Sequence, residues 1–176
     1  MYNLKRKQIY KGKIVDLGLE TVQINANQPA ATFEIVRHPG GAVVAAINDD
    51  QQVCLLRQYR HAVGKWLWEL PAGKIDNREP PDQTIVRELE EEAGVIAKSW
   101  HQLGEIVSSP GVLDEVLYLY LAQDLSSTAF DHEPHEYIEI HWIALDKAID
   151  MAITGEIIDA KTIINLIKAA HFINAR

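Results

Sequence analysis

Residues 8–25, "QIYKGKIVDLGLETVQIN", alternate imperfectly between apolar and polar side chains and carry glycines at 12 and 18. That pattern predicts short strands in a meander. "ATFEIVRH" (31–38) predicts a further strand. After the Pro39-Gly40-Gly41 break, "AVVAAIN" is almost continuously apolar, as expected of a strand buried on both faces. Asp49-Asp50 predicts a turn into "QVCLLRQY", and "WLWELPAG" (66–73) a short strand ending at proline and glycine. "HQLGEIV", "EVLYLYLA" and "YIEIHWIAL" predict later strands. Two segments, 108–114 and 123–136, read as long functional loops.

Helical periodicity appears twice. Pro80-Pro81, the acidic Asp82 and the later Gly94 are start and stop signals for a helix between them. In "DAKTIINLIKAAHFI", Ile163, Leu166, Ile167 and Ala170 fall at i, i+3, i+4 and i+7, an amphipathic stripe. Many strands with two or three helices in no strict alternation predict an α+β fold with helices flanking a mixed sheet. The expected organisation is an N-terminal strand region (1–40) followed by the main domain (41–176).

The first helix poses a problem of charge. "RELEEEAGV" places Glu88, Glu90, Glu91 and Glu92 within five residues, and like charges at helical spacing repel by a few tenths of a kcal/mol per pair. At 100° per residue, Glu88, Glu91 and Glu92 converge on one arc, and Glu90 points elsewhere. Ile85, Val86, Leu89 and Ala93 form the adjacent apolar arc, expected to pack on a sheet. An Arg87–Glu91 pair leaves Glu88 and Glu92 without a cation. Hard oxygen donors at the rim of a packed surface, beside the tight turn "LPAGKID", suit Mg²⁺ or Mn²⁺, which would relieve the repulsion.

Composition narrows the classes. The chain has 176 residues, with 17 basic against 25 acidic and a net charge of −8. That balance argues against general binding to nucleic acid or an anionic membrane. The lone Cys54 lies in an apolar run and is expected to be buried and inert, consistent with a reducing compartment. The basic start leads into no apolar core of a signal peptide, and no apolar run approaches a membrane span. A cytoplasmic location is the expectation.

From Gly73 five residues lead to Glu79 and seven more to Arg87, followed by Glu88-Leu89-Glu90-Glu91-Glu92-Ala93-Gly94-Val95. This matches every fixed position of the Nudix box, Gly-x5-Glu-x7-Arg-Glu-U-x-Glu-Glu-x-Gly-U, with U aliphatic. "FEIVRHPGGAVVAAI", "LLRQYRHAVGKWLWELPAGKID", "SSPGVLDE", "HEYIEIHWIAL" and "DAKTI" extend the likeness over roughly residues 8–170. The chain resembles the ADP-ribose pyrophosphatase group of Nudix hydrolases. The resemblance implies a Nudix fold, an α/β/α sandwich around a mixed sheet, and a homodimer sharing its active sites through the N-terminal strands.

The resemblance also implies roles. Metal binding falls to Glu88, Glu92, the carbonyl of Ala72 and the loop carboxylate Glu136, with Glu91 an auxiliary or second-metal ligand. Glu79 and Arg87 form the ion pair that anchors loop to helix. Phe33 matches an aromatic that stacks adenine, and Glu34 a residue that hydrogen-bonds its edge. Arg60 matches a phosphate clamp, a role suited to its planar fork. Gly111 joins the substrate-binding set from its loop, and either Arg37 or His38 supplies a further substrate-facing base. Pro134 stands where several relatives place an acidic general base, leaving Glu133, Glu115 or activation by the metal alone. The implied reaction is Mg²⁺- or Mn²⁺-dependent hydrolysis of ADP-ribose to AMP and ribose 5-phosphate. The alternatives are the same chemistry on GDP-mannose or UDP-glucose, or a non-catalytic nucleotide-sugar sensor. The intact box disfavours the sensor.

Overall fold

The glycine-punctuated N-terminal pattern folds into three antiparallel strands, β1 (Tyr2–Lys11), β2 (Asp16–Gln23) and β3 (Ala31–Arg37), in the order β1-β2-β3. The computed structural model describes residues 2–76, 78–128 and 137–175. Two compact units divide the chain: residues up to Gly40 with Val107–Val116, and Gly41–Ile106 with Leu117 onward. Val22 is the only buried apolar side chain larger than glycine among the described residues of the first unit. Leu4, Ile9, Tyr10, Ile14, Ile24 and Phe33 are exposed on that same unit.

The second unit follows in chain order with β4 (Gly41–Ala46), β5 (Gln52–Arg60), β6 (Lys65–Glu69), β7 (Ala72–Lys74) and α1 (Pro81–Ala93). Then come β8 (Val95–Val107), β9 (Val116–Ser127), β10 (Ile138–Ala144), α2 (Leu145–Thr154) and α3 (Ala160–Asn174). One sheet has the order β7-β4-β9-β8 and is mixed, because β4 runs parallel to β9 and antiparallel to β7. The other is antiparallel in the order β10-β5-β6. Every residue of β4 is buried. Its alternate side chains explain why: Val43 and Ala45 pack in a cluster with α2 and α3, Ala42, Val44 and Ala46 in one with Ile85 and Leu89 of α1. The α+β sandwich expected from the sequence is present. Cys54 lies in the α1-side cluster, and burial pushes its thiol up to about 12.

Several boundaries differ from expectation. "WLWELPAG" is two strands in different sheets, with Leu70-Pro71 carrying the chain from one to the other. β8 begins at Val95 instead of His101; Ile96 is exposed while Ser99 is half-buried, which blurs the alternation. Residues 123–127, expected as loop, continue β9 through an Asp124 with φ 54°, their polar character hiding the strand. The rest of that expected loop, 129–136, lies outside the described residues.

The helices keep their expected ends. Pro81 opens α1, and Gly94, at φ 62° and ψ 38°, closes it by donating its N–H to the Glu90 carbonyl at 3.0 Å. Within α1, Thr84 is buried and Val86 exposed, the reverse of the expected arc. The buried stripe of α3 is Thr162, Asn165, Leu166 and Ala169, one residue off the expected one. Two polar residues enter it, Thr162 with its hydroxyl bonded and Asn165 with its amide nitrogen bonded, although Asn165 Oδ1 has no partner among the described residues. The Leu70 N–H donates to Thr162 Oγ1 at 2.9 Å, and Asn165 Nδ2 donates to the Tyr120 carbonyl at 3.1 Å. Among the described residues no helix is long and apolar enough to cross a membrane.

Candidate active site

β7 and α1 meet where a backbone amide of the strand faces a carboxylate of the helix. The Ala72 N–H donates to Glu92 Oε2 at 2.9 Å, and Glu92 is only 4% exposed. A hydrogen bond to a charged acceptor contributes roughly 1.5–3 kcal/mol. One residue on, a Cβ added to Gly73 would stand 1.9 Å from Glu88 Cδ and 2.0 Å from its Oε1. The Glu88 carboxyl group therefore occupies the volume that any side chain at 73 would need. Glu88 and Glu92, four residues apart on α1, both bear on this one turn.

Arg87 gathers the rest of the cluster. Its guanidinium lies 3.0 Å from Glu79, 2.8 Å from Glu88 and 2.8 Å from Glu91. Burial alone would lower its pKa, yet the three carboxylates raise it above the ordinary value. Glu79 is held below the usual carboxylate range, first by Arg87 and then by the Thr84 hydroxyl at 2.9 Å. The expected loop-to-helix anchor thus exists as geometry. The expectation that Glu88 lacks a cation is corrected: at 2.8 Å, Arg87 reaches it as well as Glu91. Glu90 is exposed, as expected, and accepts from Thr128 Oγ1 at 3.3 Å.

Among the described residues, no three His, Cys, Asp or Glu side chains gather closely enough to hold a cation by themselves. Arg87 draws Glu88 and Glu91 toward itself, and the Ala72 amide holds Glu92. The remaining expected ligand, Glu136, and the stand-in base, Glu133, lie outside the described residues, as does Pro134. The donor chemistry nonetheless fits a hard divalent cation: several carboxylates flank a backbone turn that a side chain at Gly73 would fill.

Arg60 is half-committed. Its Nε donates to Glu69 Oε1 at 2.7 Å and its Nη2 to Oε2 at 2.8 Å, a bidentate fork. Lys161 Nζ also donates to Glu69 and lies 2.9 Å from Asp159. Burial would raise the Glu69 pKa, but Arg60 and Lys161 outweigh it and bring it to about 2. A phosphate could therefore meet only the Nη1 edge and the second Nη2 hydrogen of Arg60. Arg57 stacks over Trp68, 4.9 Å from the ring centroid, and Trp68 packs against the core.

The first unit carries the remaining candidates. Phe33 and Glu34 are both exposed on β3 and, as strand neighbours, point to opposite faces. β3 is the last strand of its three-stranded ladder. Gly111 is exposed with open space around its Cα. Arg37 is partly engaged: it meets Glu20 at 2.6 Å and Asp114 at 2.9 Å, and both hydrogen bonds, Asp114 first, raise its pKa. His38 Nδ1 is 3.1 Å from both the Gly40 N–H and Glu115 Oε1. The first contact needs a bare Nδ1 and the second a protonated one, so the two are alternatives.

Sequence reasoning missed Glu69, Glu20 and Asp114, whose roles depend on arginines distant in the chain. Lys161 and Thr162 were visible only inside "DAKTI". The NUDIX domain profile matches residues 37–166. An ADP-ribose pyrophosphatase of Bacillus subtilis (strain 168) is 35% identical over 161 residues, covering 90% of this chain and 86% of that protein. The methanol dehydrogenase activator of Bacillus methanolicus is 36% identical over 163 residues, covering 92% and 88%. In fold, the chain is similar to an ADP compounds hydrolase crystal structure, with a TM-score of 0.84 at 17% identity over 98% of this chain and 94% of that one. Its box residues drawn onto one turn and one helix, and its profile matched over most of its length, this chain belongs to the Nudix family.

Proposed function

We propose that this protein is a divalent-metal-dependent pyrophosphohydrolase that cleaves ADP-ribose to AMP and ribose 5-phosphate. The observation that carries the reading is the pair Glu92 and Glu88, one fastened to the Ala72 amide and the other seated on Gly73. The 35% identity to an ADP-ribose pyrophosphatase over most of both chains supports the substrate. Glu88, Glu91, Glu92, the Ala72 carbonyl and Glu136 would hold Mg²⁺ or Mn²⁺. A cation bound there supplies charge neutralisation of the diphosphate and a more acidic water. Arg87 keeps Glu79 and Glu91 oriented, and the free edge of Arg60 is suited to a phosphate oxygen. Glu133 or Glu115 takes the proton of the attacking water. Phe33 and Glu34 serve the adenine, within an N-terminal region (1–40) that also dimerises, while Gly111 and one of Arg37 and His38 face the substrate.

The test is turnover with product identification on ADP-ribose, GDP-mannose and UDP-glucose, for the natural protein, Glu88→Gln and Glu92→Gln. ADP-ribose is expected to be the best substrate, with each variant lowering kcat by at least ~100-fold, the loss typical of a charge-stabilising group. Glutamine at 92 can still accept from the Ala72 amide, so the fold should survive. Full activity of Glu92→Gln overturns the site, and faster turnover of GDP-mannose or UDP-glucose overturns the substrate.

A further inference from the structure

We propose that Thr162 is a positioning residue for the metal site, its hydroxyl fixing the Leu70–Gly73 turn on which Glu88 and Glu92 bear, an inference that rests on reading those two as metal-holding residues. Four successive residues of this segment are each fastened to something different. Glu69 is gripped by Arg60 and Lys161. The Leu70 N–H donates to Thr162 Oγ1 at 2.9 Å. The Pro71 carbonyl accepts from the Val44 N–H at 3.0 Å, and the Ala72 N–H donates to Glu92 at 2.9 Å.

The Thr162 bond is directional. Its single hydroxyl hydrogen goes to Asp159 Oδ2 at 2.6 Å, which leaves the oxygen lone pairs facing the Leu70 amide. Asp159 is itself held as the cap of α3 by the Thr162 N–H at 3.1 Å and by Lys161 at 2.9 Å. Thr162 is fully buried and Leu70 nearly so. No water can replace the hydroxyl if it is removed without removing its volume, and the Leu70 N–H is then stranded. The turn must shift to satisfy that amide, and its shift carries the Ala72 N–H away from Glu92. The first turn of α3, 92 residues distant from Leu70 in the chain, thereby sets the geometry of donors on α1.

Mn²⁺ titration followed by electron paramagnetic resonance, without substrate, reads the effect directly. Thr162→Val is expected to raise the Mn²⁺ Kd by about 10-fold or more, the size found when the partner of a metal-holding group is removed. KM for ADP-ribose at saturating Mn²⁺ should stay unchanged, and Thr162→Ser should restore the affinity. An unchanged Mn²⁺ Kd in Thr162→Val overturns the proposal, whatever its melting temperature. Should that variant not fold, Thr162→Cys, which keeps most of the volume and puts a poor acceptor in place of the hydroxyl, carries the same expectation, and an unchanged Kd there overturns it equally. Glu92→Gln separates the two layers: if it binds Mn²⁺ like the natural protein, the metal site itself is wrong and the proposal falls with it. If it weakens binding and Thr162→Val does not, only the role of Thr162 falls.

Discussion

At position 73 the absence of a side chain is itself a functional group. The Glu88 carboxyl lies where a Cβ would stand, and no other heavy atom is as near. Because the obstruction is the far end of a flexible side chain, Gly73→Ala should displace Glu88 without unfolding the protein. Misplacing a reacting or charge-stabilising group by about 1 Å can cost 10²-fold in rate. Gly73→Ala is therefore expected to lose on the order of 100-fold in kcat with little change in Tm, measured by steady-state kinetics beside thermal melts. Natural activity in this variant would mean that Glu88 is not needed where it sits.

Between elements, Glu69 joins β6 to β5 through Arg60 and to α3 through Lys161. Burial opposes its ionisation, yet the two cations bring its pKa from the ordinary 4.5 to about 2. A carboxylate with a lower pKa folded than unfolded contributes stability that is complete above the unfolded value. That stability is lost as the pH falls through the folded one. The window here is about pH 4.5 down to 2, and the contribution at neutral pH is on the order of 3 kcal/mol. Glu69→Gln should lower stability at pH 7 and flatten the acid limb between those values, as followed by urea unfolding at stepped pH. An acid limb of unaltered slope would mean that other carboxylates govern it.

For the whole molecule, the open question is what covers the first unit. Leu4, Ile9 and Tyr10 on β1, and Ile14 and Ile24 in the turns beside β2, are exposed on a unit whose only buried apolar side chain among the described residues is Val22. Three strands are near the minimum for independent stability, and unpaired edges invite a partner. A second copy of the chain is the proposed cover. Light scattering should give twice the 19.8 kDa mass of one chain. Removal of residues 1–30 should abolish the dimer and weaken ADP-ribose binding together. A monomer with full activity at assay concentration would refute a shared site.

Local pattern was enough for the doubly buried strand over 42–46, the Gly94 stop and the exposure of Glu90, because each depends on neighbours a few residues away; Ile47 and Asn48, expected in that strand, fall beyond its end. The expected outer edges of β8 and β9 failed where Ile96 faces solvent and where polar residues 123–127 continue a ladder. Burial and pairing are set by other segments there, so the local signal is silent. The same holds for charge. That Arg87 might pair with Glu91 follows from helical spacing, but its approach to Glu79 at 3.0 Å required the turn before the helix to fold back on it. The partners of Arg60, Arg37 and Leu70 are nine, 17 and 92 residues away. The residues of the Nudix box could be read straight from the chain, since the box is a pattern of short spacings. Only the tertiary structure decided what holds them, because a hydrogen bond across 92 residues leaves no mark on the chain between its ends.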